Sequence, residues 1–279
     1  MTKTLLFLSV LISGPAFAQD DLLKDIDTLQ TTENNPPAFK ALQIVTGQST
    51  KLTAKKEWYI VVAHRFGDIS TGFKNFFGLD DASTKLGVIY GLTDGLSLSL
   101  SRETNMKTFE FGAKYKLLKQ NENFPVEIVG YNVMAANTDL AKDNYPHLQF
   151  GERLSYLTQA LISRRFSDGF SLQLSPSYIH KNLYDPNIEN NNQFLAGLGG
   201  RYKISKRISI NAEYFVNFDN HSFYKNPLSL GMDIETGGHV FQLLFSNSQL
   251  NSDIGYLTNA TGKWEKGQIF FGFNLYRVF

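Results

Sequence analysis

The sequence predicts an all-β fold: a transmembrane antiparallel up-and-down β-barrel of about twelve strands, following a signal peptide and a short N-terminal segment. Three observations predict it. The final stretch, residues 268–279, alternates strictly, with Ile269, Phe271, Phe273, Leu275 and Phe279 on one face and Gln268, Gly272, Asn274 and Tyr276 on the other. Strand-like segments recur at roughly the 9–11 residues that a tilted membrane strand needs, and their number is even. The connections between them alternate between tight turns and long loops.

The chain opens with Lys3, an apolar run over residues 5–12 and Ala16-Phe17-Ala18, which reads as a secretory signal over residues 1–18. A membrane anchor would need a longer apolar run. Of the 27 bases and 26 acids only Lys3 lies in that signal, so the mature chain has 26 of each and no formal charge. Such a balance gives no support to nucleic-acid binding, which wants a basic surface. Cysteine is absent, which excludes both disulfides and a lipid-modified N-terminal cysteine. Residues 19–37 are polar and acidic and read as a periplasmic lead-in with a short helix over 21–29. Residues 38–55 are more apolar and leave two placements open, a periplasmic strand or a segment tucked into the lumen. The organisation is thus signal 1–18, a partly disordered periplasmic segment 19–55 and the barrel 56–279.

Strands are expected at 57–66, 84–92, 96–103, 108–119, 126–137, 153–166, 170–181, 192–204, 208–217, 227–236, 239–247 and 268–279. Tight turns follow at Thr93-Asp94-Gly95, Ser167-Asp168-Gly169, Ser205-Lys206-Arg207 and Gly237-Gly238, with residues 121–125 slightly longer. The Asp-Gly pairs suit a type I turn closed by a left-handed glycine, and Gly237-Gly238 suits a type I′ turn with His239 serving it. The opposite connections, 67–83, 138–152, 182–191, 218–226 and 248–267, are long, and only 104–107 is short. Short periplasmic turns facing long extracellular loops place both termini in the periplasm. Leu96, Leu98 and Leu100 alternate with Ser97, Ser99 and Ser101, and Phe109, Phe111 and Ala113 with Glu110, Gly112 and Lys114. A secreted sandwich would alternate equally well. Aromatics at the strand ends favour two bilayer girdles, Tyr90, Tyr115, Phe166, Phe170, Tyr202, Tyr276 and Phe279 below and Phe66, Phe109, Tyr178, Tyr214 and Phe245 above.

The last strand resembles the C-terminal assembly signal of outer-membrane barrels, carried by Phe273, Leu275, Tyr276 and Phe279; Arg277 departs from it. His64-Arg65-Phe66-Gly67, Phe76-Phe77-Gly78-Leu79-Asp80, Gly200-Arg201-Tyr202-Lys203 and the run from Asp233 to Leu243 resemble a Bacteroidota family of outer-membrane β-barrels known only as a domain of unknown function. The similarity runs from about residue 38 onward. It implies membership and an outer-membrane location, and it brings no activity or ligand.

Chemistry is sparse. His64, His147, His180 and His221 gather at the long-loop end without the spacing of a metal site, so no metal is expected. Asn220-His221-Ser222 is the nearest material for a lipid-modifying enzyme, but neighbours in sequence cannot form a nucleophile–base pair. No catalytic residue and no cofactor are expected. The informative set is the inward charges: Lys85, Glu103, Glu110, Lys114, Arg201, Glu213, Asp233 and Glu235. The turn at 93–95 sets Lys85 opposite Glu103. The turn at 205–207 sets Arg201 opposite Asn211 and within reach of Glu213 on the diagonal. These charges line either a water-filled lumen or a packed, ion-paired one. The expected function is a narrow passive pore or solute-binding channel with a mixed-charge lumen. The alternatives are a closed scaffold binding a partner through its loops or N-terminal segment, and a loop-borne lipid-modifying enzyme. Outer-membrane lipid, the barrel-assembly machinery and an unidentified solute or protein are the expected partners, with no nucleic acid.

Overall fold

The computed structural model describes residues 37–140, 145–219, 222–236 and 239–279, so the expectations for the signal, residues 19–36, His221 and the Gly237-Gly238 turn lie outside the described residues. Among the described residues, twelve strands form one closed antiparallel barrel in which each strand pairs with its sequence neighbours and β12 closes on β1. They are β1 (Trp58–Asp68), β2 (Ala82–Thr93), β3 (Leu96–Glu103), β4 (Thr108–Leu118), β5 (Glu127–Asn137), β6 (Leu154–Arg165), β7 (Phe170–Lys181), β8 (Asn192–Lys203), β9 (Ile208–Asn217), β10 (Leu228–Thr236), β11 (His239–Ser246) and β12 (Phe270–Val278). Closure leaves no open edge. Trp58 and Phe279 exchange backbone hydrogen bonds of 3.2 and 2.9 Å at the seam.

The expected registers hold: Lys85 faces Glu103, Arg201 faces Asn211, and Tyr202 faces Ile210. β1 and β2 each run two residues further toward the extracellular end than the pattern indicated. Their connection is a 3-10 segment, Ile69–Gly78, in which Phe76 and Phe77 take positive φ of 41° and 56°. Nothing in the composition of that loop marks where the pairing stops.

The outer face separates a membrane barrel from a soluble sandwich. Leu86 and Leu100 on the adjacent strands β2 and β3, and Phe194 and Leu198 on β8, are 57–61% exposed, an apolar outer surface that lipid accepts. The girdle residues point outward with one exception. Tyr276 is 1% exposed and faces the lumen, where its hydroxyl donates to Gln43. Strand parity assigns it there, because Phe273 and Leu275 take the lipid face.

Residues 38–55 lie in the lumen, so the compact unit starts at Pro37 rather than at residue 56. Their chain rises from the periplasmic end, turns where Ile44 N–H donates to Gly47 carbonyl at 2.8 Å, and descends past Ser97 to join β1. The loop after β11 also enters the lumen, from the extracellular side. It carries a single helical turn and a half, α1 (Asp253–Thr258), all six residues of which are buried. Six residues are too few for a helix to persist alone, so packing holds it.

Candidate functional site

The candidate site is the lumen, built from the inner wall and the two inserts. Lys85, Glu103, Glu110, Lys114, Arg201, Glu213 and Asp233 all point inward and are buried, and Glu235 is half-buried at the periplasmic end. A charge in such surroundings must be hydrogen-bonded or paired. Several wall charges here find their partners in the backbone of the inserts.

Glu213 is the clearest case. Its carboxylate accepts the N–H groups of Val45, Thr46 and Gly47 at 3.3, 2.7 and 2.8 Å, the tip of the N-terminal insert. It also accepts the Tyr256 hydroxyl of α1 at 2.8 Å. Glu103 accepts the N–H groups of Asn251 and Ser252 at 2.5 and 2.9 Å, and Glu110 that of Asp253 at 2.7 Å. Lys114 does the reverse, donating to the carbonyls of Leu42, Ser49 and Lys51 at 3.0–3.3 Å. Wall amides complete the grip. Gln242 donates to the Gln43 and Ile44 carbonyls, Asn274 to that of Val45, and Gln173 to that of Gln48 while accepting Thr50 N–H.

Direct ion pairs are fewer. Lys85 meets Glu110 at 2.6 Å and Asp253 at 3.6 Å, rather than Glu103 across the hairpin. The expected approach of Arg201 to Glu213 does not form. Arg201 bonds Glu235 at 2.9 Å and Ser209 at 3.0 Å, and Lys40 joins the same Glu235 at 2.6 Å. The physical reason is the insert: its tip fills the middle of the barrel and offers Glu213 three donors, leaving Arg201 to a carboxylate nearer the periplasm. Buried Lys181 pairs with Glu189 at 2.7 Å near the extracellular end.

The wall has two characters. Val129, Val133, Leu157, Leu161, Ile179, Leu195 and Phe215 form an apolar patch on the inner face of β5–β9, and Ile254, Tyr256 and Leu257 of α1 pack against it. The remaining wall is mostly serine, glutamine, asparagine and charge, and it meets the N-terminal insert through hydrogen bonds and through two apolar clusters, Phe39, Ile44 and Val45 with Leu244 and Leu42 with Val61 and Tyr276. The inserts touch where Gln48 donates to Asp253 at 2.9 Å. A cavity of about 50 Å³ remains beside that contact, and one of about 610 Å³ opens at the extracellular end.

His64 and His180 face outward, bonded to Thr84 and Asn192 at 2.9 and 2.7 Å, and take no part in the lumen. Of the two inserts, sequence reasoning left residues 38–55 open between the lumen and a periplasmic strand, where the structure takes the first, and it missed the loop after β11. Signals were present: β5 and β6 carry apolar residues on both faces, and inward positions such as Gly91 and Gly199 lack side chains where something must pass.

The family described as a membrane bound beta barrel domain (DUF5777) matches residues 39–279, and the chain belongs to it. The match begins within the N-terminal insert, so insert and barrel form one family unit. No curated protein matches. Among solved structures, the KdgM porin in complex with disordered oligogalacturonate is similar at 12% identity and a TM-score of 0.53, covering 79% of this chain and 99% of that one. The NanC porin is similar at 10% identity and 0.51, covering 79% and 98%. The COG4313 outer membrane channel from Pseudomonas putida F1 is similar at 14% identity and 0.51, covering 82% and 97%. At these identities the likeness is one of fold. The chain is an outer-membrane β-barrel of porin-like architecture.

Proposed function

From its place in a membrane-bound β-barrel family, we propose that the protein is a gated passive channel, shut in the state described above by the insert of residues 38–55. One observation carries the reading: many charges of the wall are satisfied by the backbone of the inserts and not by one another. A wall of serine, amide and charge is a surface suited to water. When the N-terminal insert leaves, water can replace each of its hydrogen bonds with little change in energy, and re-exposing Phe39, Leu42, Ile44 and Val45 is the cost that keeps the barrel shut at rest. The loop insert, seated on apolar wall, has no such substitute and stays. Width, mixed charge and the remaining loop then select the solute.

The absence of cysteine makes the test clean. Thr50 and Ser163 hydroxyls lie 2.8 Å apart across the insert–wall contact, so Thr50→Cys with Ser163→Cys ties the insert in place. In planar bilayers the reduced double variant and the wild type should show intermittent openings, and the oxidised form none. A silent wild type would favour the closed scaffold. Equal currents before and after oxidation would mean that solutes pass without moving the insert.

A further inference from the structure

We propose that the extracellular cavity is a binding site for a neutral oligosaccharide. The proposal names a solute class for the channel and rests on that reading only in treating the cavity as a transport mouth. At about 610 Å³ the space is of small-molecule size. Its floor is the loop insert, at Ser252, Gly255 and Asn259, and its sides include Tyr145, Tyr184 and Tyr224 from three different loops. Tyr145 and Tyr184 are 48% and 38% exposed, so their rings are presented to the space rather than packed away.

The charges around the cavity are of both signs. Lys181 is held by both oxygens of Glu189 at 2.9 and 2.7 Å and by Asn259 at 3.3 Å. Glu152 accepts the Gln149 N–H at 2.7 Å, Asp185 accepts Asn187 N–H at 2.9 Å, and Arg153 donates to the Asn137 carbonyl at 3.2 Å. With the bases Lys181 and Arg153 set against the acids Glu152, Asp185 and Glu189 in the lining, an anionic ligand meets no net counter-charge there. A wholly apolar ligand would bury tyrosine hydroxyls and amides without partners. A pyranose ring satisfies both constraints, because it offers a C–H face to a tyrosine ring and a rim of hydroxyls to Asn137, Ser155 and Asn259. Three tyrosines spread over three loops suit an oligomer rather than one ring.

The test uses the oxidised Thr50→Cys/Ser163→Cys protein in detergent, applied to an array of neutral and acidic oligosaccharides, with the best ligand followed by calorimetry. Neutral oligomers should bind. Tyr184→Ala should weaken that binding about tenfold and Tyr184→Phe by less than about threefold, with Tyr145→Ala as a second reading on another loop. No binding at all, a preference for acidic sugars, or undiminished affinity in both alanine variants would overturn the site. Because the insert is locked throughout, a negative result here leaves the gating question open to the bilayer measurement alone.

Discussion

A buried carboxylate needs a cation or several donors, and Glu213 takes the second route while Glu235 takes the first. The difference sets the order of two substitutions. Glu213→Ala leaves three backbone N–H groups and the Tyr256 hydroxyl without their acceptor, a loss of about 3–5 kcal/mol. Arg201→Ala leaves Glu235 still bonded to Lys40 at 2.6 Å, so the loss should be only about 1–2 kcal/mol. Urea unfolding in lipid vesicles measures both, and a reversed order would mean that Glu213 is not what holds the tip of the insert. The register of Arg201 against Asn211 follows from a three-residue turn and period two, and it was legible. The partner of Glu213 was not, because it comes from 166 to 168 residues away through backbone atoms that every sequence possesses.

Elements follow the same division. Every strand was legible to within two residues because the lipid face imposes strict alternation over its whole length. The inserts impose no period. Residues 248–253 read as an exposed loop since serine and asparagine serve equally well in water and against a polar wall. The apolar residues Ile254 and Leu257 were the only local hint that the loop turns inward. Two variants separate the inserts. Leu257→Ala, at 3% exposure, should lower stability by about 2–5 kcal/mol and leave channel openings unchanged. Gly199→Leu should do the opposite. A Cβ at Gly199 would lie 2.5 Å from the Ile44 side chain, so a leucine there pushes the N-terminal insert away from the wall and should raise open probability. Increased openings in Leu257→Ala would reassign the gate to the loop. Gly91 carries the same logic without tolerance, for a Cβ there would meet the Ala54 carbonyl oxygen at 1.8 Å where the insert's backbone crosses the wall.

At the scale of the whole molecule, the question is what an ion meets once the lumen opens. Once the N-terminal insert leaves, the buried or paired bases Arg65, Lys85, Lys114, Lys181 and Arg201 stand against the wall acids Glu103, Glu110, Glu213, Asp233 and Glu235, with Glu189 and Asp253 of the remaining loops on the acidic side. The acids are in slight excess, so an opened barrel should prefer cations modestly, and Gly199→Leu channels should show a reversal potential displaced a little to the cation-selective side in a salt gradient. So small an excess also makes each single charge visible, because a narrow lumen keeps an ion within a Debye length, about 10 Å at 0.1 M salt, of the wall. Added to Gly199→Leu, Arg201→Gln removes a positive charge and should move the reversal potential toward cation selectivity. Asp233→Asn should move it the other way. The two signs matter more than either size, since a general change in pore width would shift both variants alike. If neither substitution moves the potential while current still flows, the current does not run past β8–β10, and the wall charges serve the closed barrel alone.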